Sequence, residues 1–70
     1  MEKGKIKFFK QEKGYGFILS DEGKDFFFHI SDFINSEDYQ NLNTDDEVEF
    51  EKGFGKDMRV KATQVKLIKN

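Results

Sequence analysis

Tyr15-Gly16-Phe17-Ile18-Leu19 and Phe26-Phe27-Phe28-His29-Ile30, joined by Ser20-Asp21-Glu22-Gly23-Lys24-Asp25, decide how this chain is read. Both runs are short, aromatic and β-branched, and bounded by Gly, Asp and Ser, which is the pattern of strands and not of helices. Side chains two apart in a strand share a face. Tyr15 and Phe17 therefore point one way, and Gly16 and Ile18 the other. In the second run Phe26, Phe28 and Ile30 lie together, with Phe27 and His29 opposite.

On the N-terminal side, Lys3-Gly4-Lys5-Ile6-Lys7-Phe8-Phe9-Lys10 alternates lysine with other residues, as a strand with one wet face does. Ile6 and Phe8 share a side of it, unless a bulge or the coiling of a barrel resets the alternation. Lys13-Gly14 punctuates the turn into the next strand. Within residues 31–45, Ser31-Asp32 suits the cap of a single helical turn, and the remainder reads as a long loop pinned by Tyr39 and Leu42. Residues 47–54 alternate acids with Val48, Phe50 and Lys52 as a fourth strand, Gly53-Phe54-Gly55-Lys56-Asp57 turns the chain, and 58–68 is a fifth. Five short strands separated by turns define an all-β sandwich or barrel.

Such a fold has one inside. Ile18, Phe26, Phe28, Val48 and Phe50 fill it with Ile6 and Val65, which leaves Tyr15, Phe17, Phe27 and His29 outside on two neighbouring strands. Core or cross-strand packing accounts for most aromatics in small β proteins, and it suffices for Phe26 and Phe28. It does not suffice for Phe17 and Phe27, because nine Phe and two Tyr overfill so small an interior. His29 draws its claim only from sharing the face of Phe27. Every nucleobase has a π face, and a base stacked on an aromatic ring gains about 1–3 kcal/mol. Lys7 and Lys13, close by in the chain, can neutralise phosphates, while Gly14 and Gly16 let backbone or base approach closely.

Seventy residues support one domain, 1–70. With no cysteine there is neither a disulfide framework nor a thiolate metal site, and a reducing cytoplasm fits. No signal segment or membrane-length apolar run is present, so a soluble cytoplasmic protein is expected. The net charge of −2 divides into +3 over residues 1–20, −9 over 21–57 and +4 over 58–70, the last from Arg59, Lys61, Lys66 and Lys69. If both ends of the chain lie on one face, that face is basic.

Lys13-Gly14-Tyr15-Gly16-Phe17-Ile18 matches the aromatic RNA-binding signature [K/R]-G-[F/Y]-[G/A]-F-V, with Ile for Val. Two folds carry it, the RNA recognition motif and the cold-shock domain. The first places a βαβ stretch before the signature, for which the 12 residues ahead of Lys13 leave no room. End to end, the chain resembles a bacterial cold-shock protein: KGYGFI is similar to that family's first nucleic-acid motif and Asp25-Phe26-Phe27-Phe28-His29-Ile30-Ser31 to its second. The resemblance implies a five-stranded antiparallel OB-fold-type β-barrel that binds single-stranded RNA or DNA without catalysis or cofactor. It further implies an RNA chaperone that prevents RNA secondary structure, monomeric, with a strand-swapped dimer as the alternative. Carried over by residue, it implies stacking by Phe8, Tyr15, Phe17, Phe27, His29 and Tyr39, polar contacts from Lys7, Lys13 and Asp25, and Phe9 flanking them. Four departures stand out. The position that is usually Trp is Phe8, the usual aromatic after the histidine is Ile30, the last hairpin lacks its proline, and Asp32, Glu37 and Asp38 bring acid towards the groove. Weaker binding than that of a typical member is expected.

Two other classes fit less well. Catalysis needs a nucleophile, base and orienting group together. One His and no Cys leave only Ser31, His29 and an Asp, and the acids are too scattered for a metal. Gly14-x-Gly16 lacks the third glycine of a dinucleotide loop. An aromatic groove also suits proline-rich peptides. The basic flanks favour nucleic acid, and salt separates the two, because single-strand binding weakens with a log–log slope of about −0.7 per neutralised phosphate.

Overall fold

The computed structural model describes residues 1–68; Lys69, counted above in the basic C-terminal segment, and Asn70 lie outside the described residues. The expected strands form as β1 (Glu2–Lys10), β2 (Tyr15–Ser20), β3 (Asp25–His29), β4 (Glu47–Phe54) and β5 (Val60–Leu67). They close into a barrel in the order β1-β2-β3-β5-β4, with β4 pairing back onto β1. Neighbours are antiparallel except at the seam, where β3 meets β5 in parallel through Phe27 and Lys61.

All seven residues assigned to the interior, Ile6, Ile18, Phe26, Phe28, Val48, Phe50 and Val65, are buried there. Phe33, Tyr39, Leu42 and Ala62 join them. The first three lie in the 30–46 connection, which packs over the barrel. Its opening 3-10 turn, Ile30–Asp32, is capped by His29, two residues before the Ser31 expected to cap it. The stretch read as loop contains a short helix, α1 (Ser36–Gln40), whose Glu37 N–H donates to the Asn35 side chain. At five residues it is too short to leave a 3.6-residue periodicity in the sequence.

Tyr39 sits on this helix at 2% exposure, and its hydroxyl donates to the carbonyls of Lys10 at 3.2 Å and Gln11 at 3.0 Å. The ring is thus the pin of the connection, as its position in the chain suggested. The expectation that Tyr39 stacks on a base is overturned, since a ring buried in the core offers no free face.

Gly16 is required from within. A Cβ there would come within 2.5 Å of the Phe9 Cβ and 2.7 Å of the Phe28 ring, so it is the core, not a ligand, that demands glycine. The basic–acidic–basic charge pattern also has a local meaning. β4, which is acidic, lies between β1 and β5, with Lys3 and Lys66 both opposite Glu49 and Lys5 opposite Glu47. Opposed charges on neighbouring strands stabilise such a ladder. These lysines therefore belong to strand pairing, and only part of the terminal basic charge remains for the aromatic face.

Candidate nucleic-acid interface

The side of β1 that Phe8 occupies is set by a bulge. Ile6 pairs with Ile18 and Phe8 with Phe17, so Lys7 is an extra residue between them. One inserted residue exchanges inside and outside. Ile6 is fully buried, while Phe8 comes out onto the face of Phe17 at 42% exposure. Phe9 then turns back against the core, edge-on to Tyr39 with centroids 6.2 Å apart, and stays partly exposed beside the rings it was expected to flank.

Four rings run continuously across three strands. Phe8 and Phe17 have centroids 5.2 Å apart, Phe17 and Phe27 5.7 Å, and Phe27 and Tyr15 5.9 Å, the last pair stacked at 27°. His29 is exposed directly across the ladder from Tyr15. Its Nδ1 accepts the Ser31 N–H at 3.1 Å. This bond and the Ser31 hydroxyl, 3.0 Å from the same nitrogen, hold the ring's orientation.

Charges border the rings. Lys7 reaches Asp25 at 2.9 Å with both side chains about half exposed (48% and 46%), a pair that water screens and a phosphate can compete for. Lys13 is exposed in the turn before Tyr15. The acids expected near the groove are largely committed elsewhere. Asp32 holds Lys61 at 2.8 Å and receives the His29 N–H at 2.9 Å. Asp38 is buried, with its carboxylate on the Leu67 N–H, so its expected place beside the groove is corrected. Glu37 remains exposed on α1.

One part of the site was absent from the sequence reading. A cleft of about 480 Å³ opens beside the rings, with Phe17, Asp25 and Phe27 as its floor on β2 and β3. Its other wall is the β4–β5 hairpin, through Lys56, Arg59, Val60 and Lys61. The clustering of Lys56, Arg59 and Lys61 was the available signal, but nothing in the chain shows that this hairpin folds beside Phe27. Among the described residues no group of three or more His, Cys, Asp or Glu side chains gathers as a metal site, and no helix is long and apolar enough to cross a membrane.

A closed five-stranded barrel with an aromatic face edged by cations is the architecture with which OB-folds meet oligonucleotides. The chain matches the family model of the 'Cold-shock' DNA-binding domain over residues 2–68, and it belongs to that family. It is 48% identical over 54 residues to a cold shock-like protein of Thermotoga maritima, covering 77% of this chain and 80% of that protein. Against cold shock protein CspB of Geobacillus stearothermophilus it is 45% identical over 51 residues, 73% of this chain and 76% of that one. Glycine-rich protein 2 of Nicotiana sylvestris is 45% identical over 64 residues, 90% of this chain, but the chain spans only 29% of that protein. Family membership brings nucleic-acid binding by a domain that is not an enzyme.

Proposed function

We propose that the whole chain, residues 1–70, is a single cold-shock domain that binds single-stranded RNA or DNA as a monomer in the cytoplasm, takes no small-molecule substrate, and acts as an RNA chaperone. The continuous row of Phe8, Phe17, Phe27 and Tyr15 carries this reading. Successive bases stack on these rings and on His29, Lys7 and Lys13 neutralise phosphates, and Asp25 accepts hydrogen bonds from base edges. Duplex is excluded, because paired and stacked bases present no free face.

Magnitudes explain why such a surface would act as a chaperone. A stacked base gains about 1–3 kcal/mol, close to the roughly 1.4 kcal/mol of an average duplex stacking step. A few stations therefore compete with short or weak helices and leave long ones intact, without any energy source. The test is competition, with a labelled single strand challenged by unlabelled single strand or duplex, alongside the melting of a short RNA hairpin. Single strand is expected to compete and duplex not, and the hairpin to melt at lower temperature with protein present. Equal competition by duplex contradicts the reading.

A further inference from the structure

β2 carries one apolar side chain on its outward side that the row of rings does not include. Ile18 and Ser20 are buried, so Leu19, at 42% exposure, points out on the side of Phe17. Phe17 pairs with Phe8 on β1 and with Phe27 on β3, and Leu19 pairs with Lys5 on β1 and with Asp25 on β3. A second outward row, Lys5–Leu19–Asp25, therefore runs beside the rings, about 7 Å further along β2. All three of its side chains are exposed.

Leu19 and Asp25 are direct neighbours across the ladder, with Cβ atoms about 5 Å apart. Lys7, on β1, reaches Asp25 at 2.9 Å across the outward side of β2, the side on which Leu19 stands. A phosphate that draws Lys7 away leaves a free carboxylate beside an apolar side chain. A pyrimidine stacked on Phe17 or Phe27 whose N3–H donates to Asp25 brings its C5 position, two ring atoms away, to the same row. Among the pyrimidines only thymine and uracil carry that N3–H, and they differ by the C5 methyl. A methyl laid against leucine leaves water and covers the leucine, whereas a C5–H leaves the leucine wet.

We infer that Leu19 reads the C5 methyl of thymine and biases the site towards thymine over uracil. The inference rests on the stacking reading proposed above and on Asp25 as an acceptor for base edges. The bland role for such a leucine is to shield the stems of Lys5 and Lys7. That role would move the stability of the barrel and leave the choice of base alone.

The test is a pair of labelled strands of about eight nucleotides, an oligothymidylate and an oligodeoxyuridylate, identical but for their C5 methyl groups. Each is titrated with wild type, Leu19→Gln and Leu19→Ile, and thermal melts verify that these exposed substitutions leave the fold intact. The thymine-to-uracil affinity ratio of wild type is expected to exceed that of Leu19→Gln by roughly two- to fourfold for each methyl seated. Uracil binding is expected to be equal in the two proteins, and Leu19→Ile is expected to keep the wild-type ratio. Comparing ratios removes the stronger stacking of thymine itself, which is common to all three proteins. A wild-type ratio in Leu19→Gln overturns the inference, and so does an equal loss on both strands, which makes Leu19 a contact blind to the methyl. A ratio lost as fully in Leu19→Ile as in Leu19→Gln also overturns it, because isoleucine keeps the apolar surface. Failure of folded wild type to bind either strand removes the stacking reading itself, a result distinct from all of these.

Discussion

Asp32 and Lys61 meet at 2.8 Å with side chains only 12% and 19% exposed, and the same carboxylate oxygen receives the His29 N–H. The pair fastens the end of β3 to β5 at the parallel seam, where Phe27 and Lys61 are ladder partners. Removing one member leaves a poorly hydrated charge alone. Lys61→Met or Asp32→Asn is expected to cost about 1–3 kcal/mol, less than a fully buried pair because water still reaches this one. Joining the two substitutions should restore much of the loss, as measured by urea unfolding in a double-mutant cycle. Additive losses would show that the seam does not depend on the pair.

Met58 stands in the left-handed region, at φ 68°. Its N–H donates to the Gly55 carbonyl at 3.0 Å and the Gly55 N–H to the Arg59 carbonyl at 2.8 Å, a tight hairpin turn that favours glycine at the left-handed position. Left-handed backbone costs a non-glycine residue about 1–2 kcal/mol, partly offset by the greater unfolded-state freedom of glycine. Met58→Gly is therefore expected to stabilise by about 0.5–1 kcal/mol and raise the melting temperature, whereas a lowered one contradicts the strain.

Burial raises the pKa of Tyr39 above the usual 10.0, and the nearby charge of Glu12 adds to the effect. The folded state thus favours the neutral phenol. The associated stability is fully present below pH 10 and is lost as pH rises from there through the raised value. Tyr39→Phe should flatten that alkaline decline. At neutral pH it should cost about 1 kcal/mol, since the Gln11 carbonyl loses its donor. Strand binding should be unchanged. Loss of binding on the scale of an exposed-ring substitution would return Tyr39 to the interface.

Phe8 lies at the edge of the ring row and is 42% exposed, so a larger surface can be accommodated there. Phe8→Trp is expected to tighten single-strand binding severalfold, about 1 kcal/mol, with little change in melting temperature. Unchanged or weaker binding would place Phe8 outside the path of the strand.

Much of this was legible in the sequence because it follows from the two-residue period. Phe17 against Ile18, and Phe27 against Phe28, divide outside from inside wherever strands run without interruption. The side of Phe8 was not legible, because the bulge at Lys7 adds a residue that no residue type announces. Tyr39 had two incompatible readings. Its place in a long connection made it a pin, the family resemblance made it a stacking ring, and packing favoured the first. The cleft wall formed by Lys56, Arg59 and Lys61 depends on how the last hairpin folds beside β3, a long-range relation that local pattern does not contain.

Base stacking on the half-buried rings and phosphate neutralisation by the lysines are both read by one titration. A labelled thymine-rich strand of about eight nucleotides is titrated with wild type, Phe17→Ala and Phe27→Ala at two salt concentrations, with circular dichroism verifying the fold. Salt-sensitive binding by wild type, weakened by about 1–3 kcal/mol in each folded variant, is the predicted result. Folded variants that bind as wild type does, or wild-type binding indifferent to salt, would contradict it.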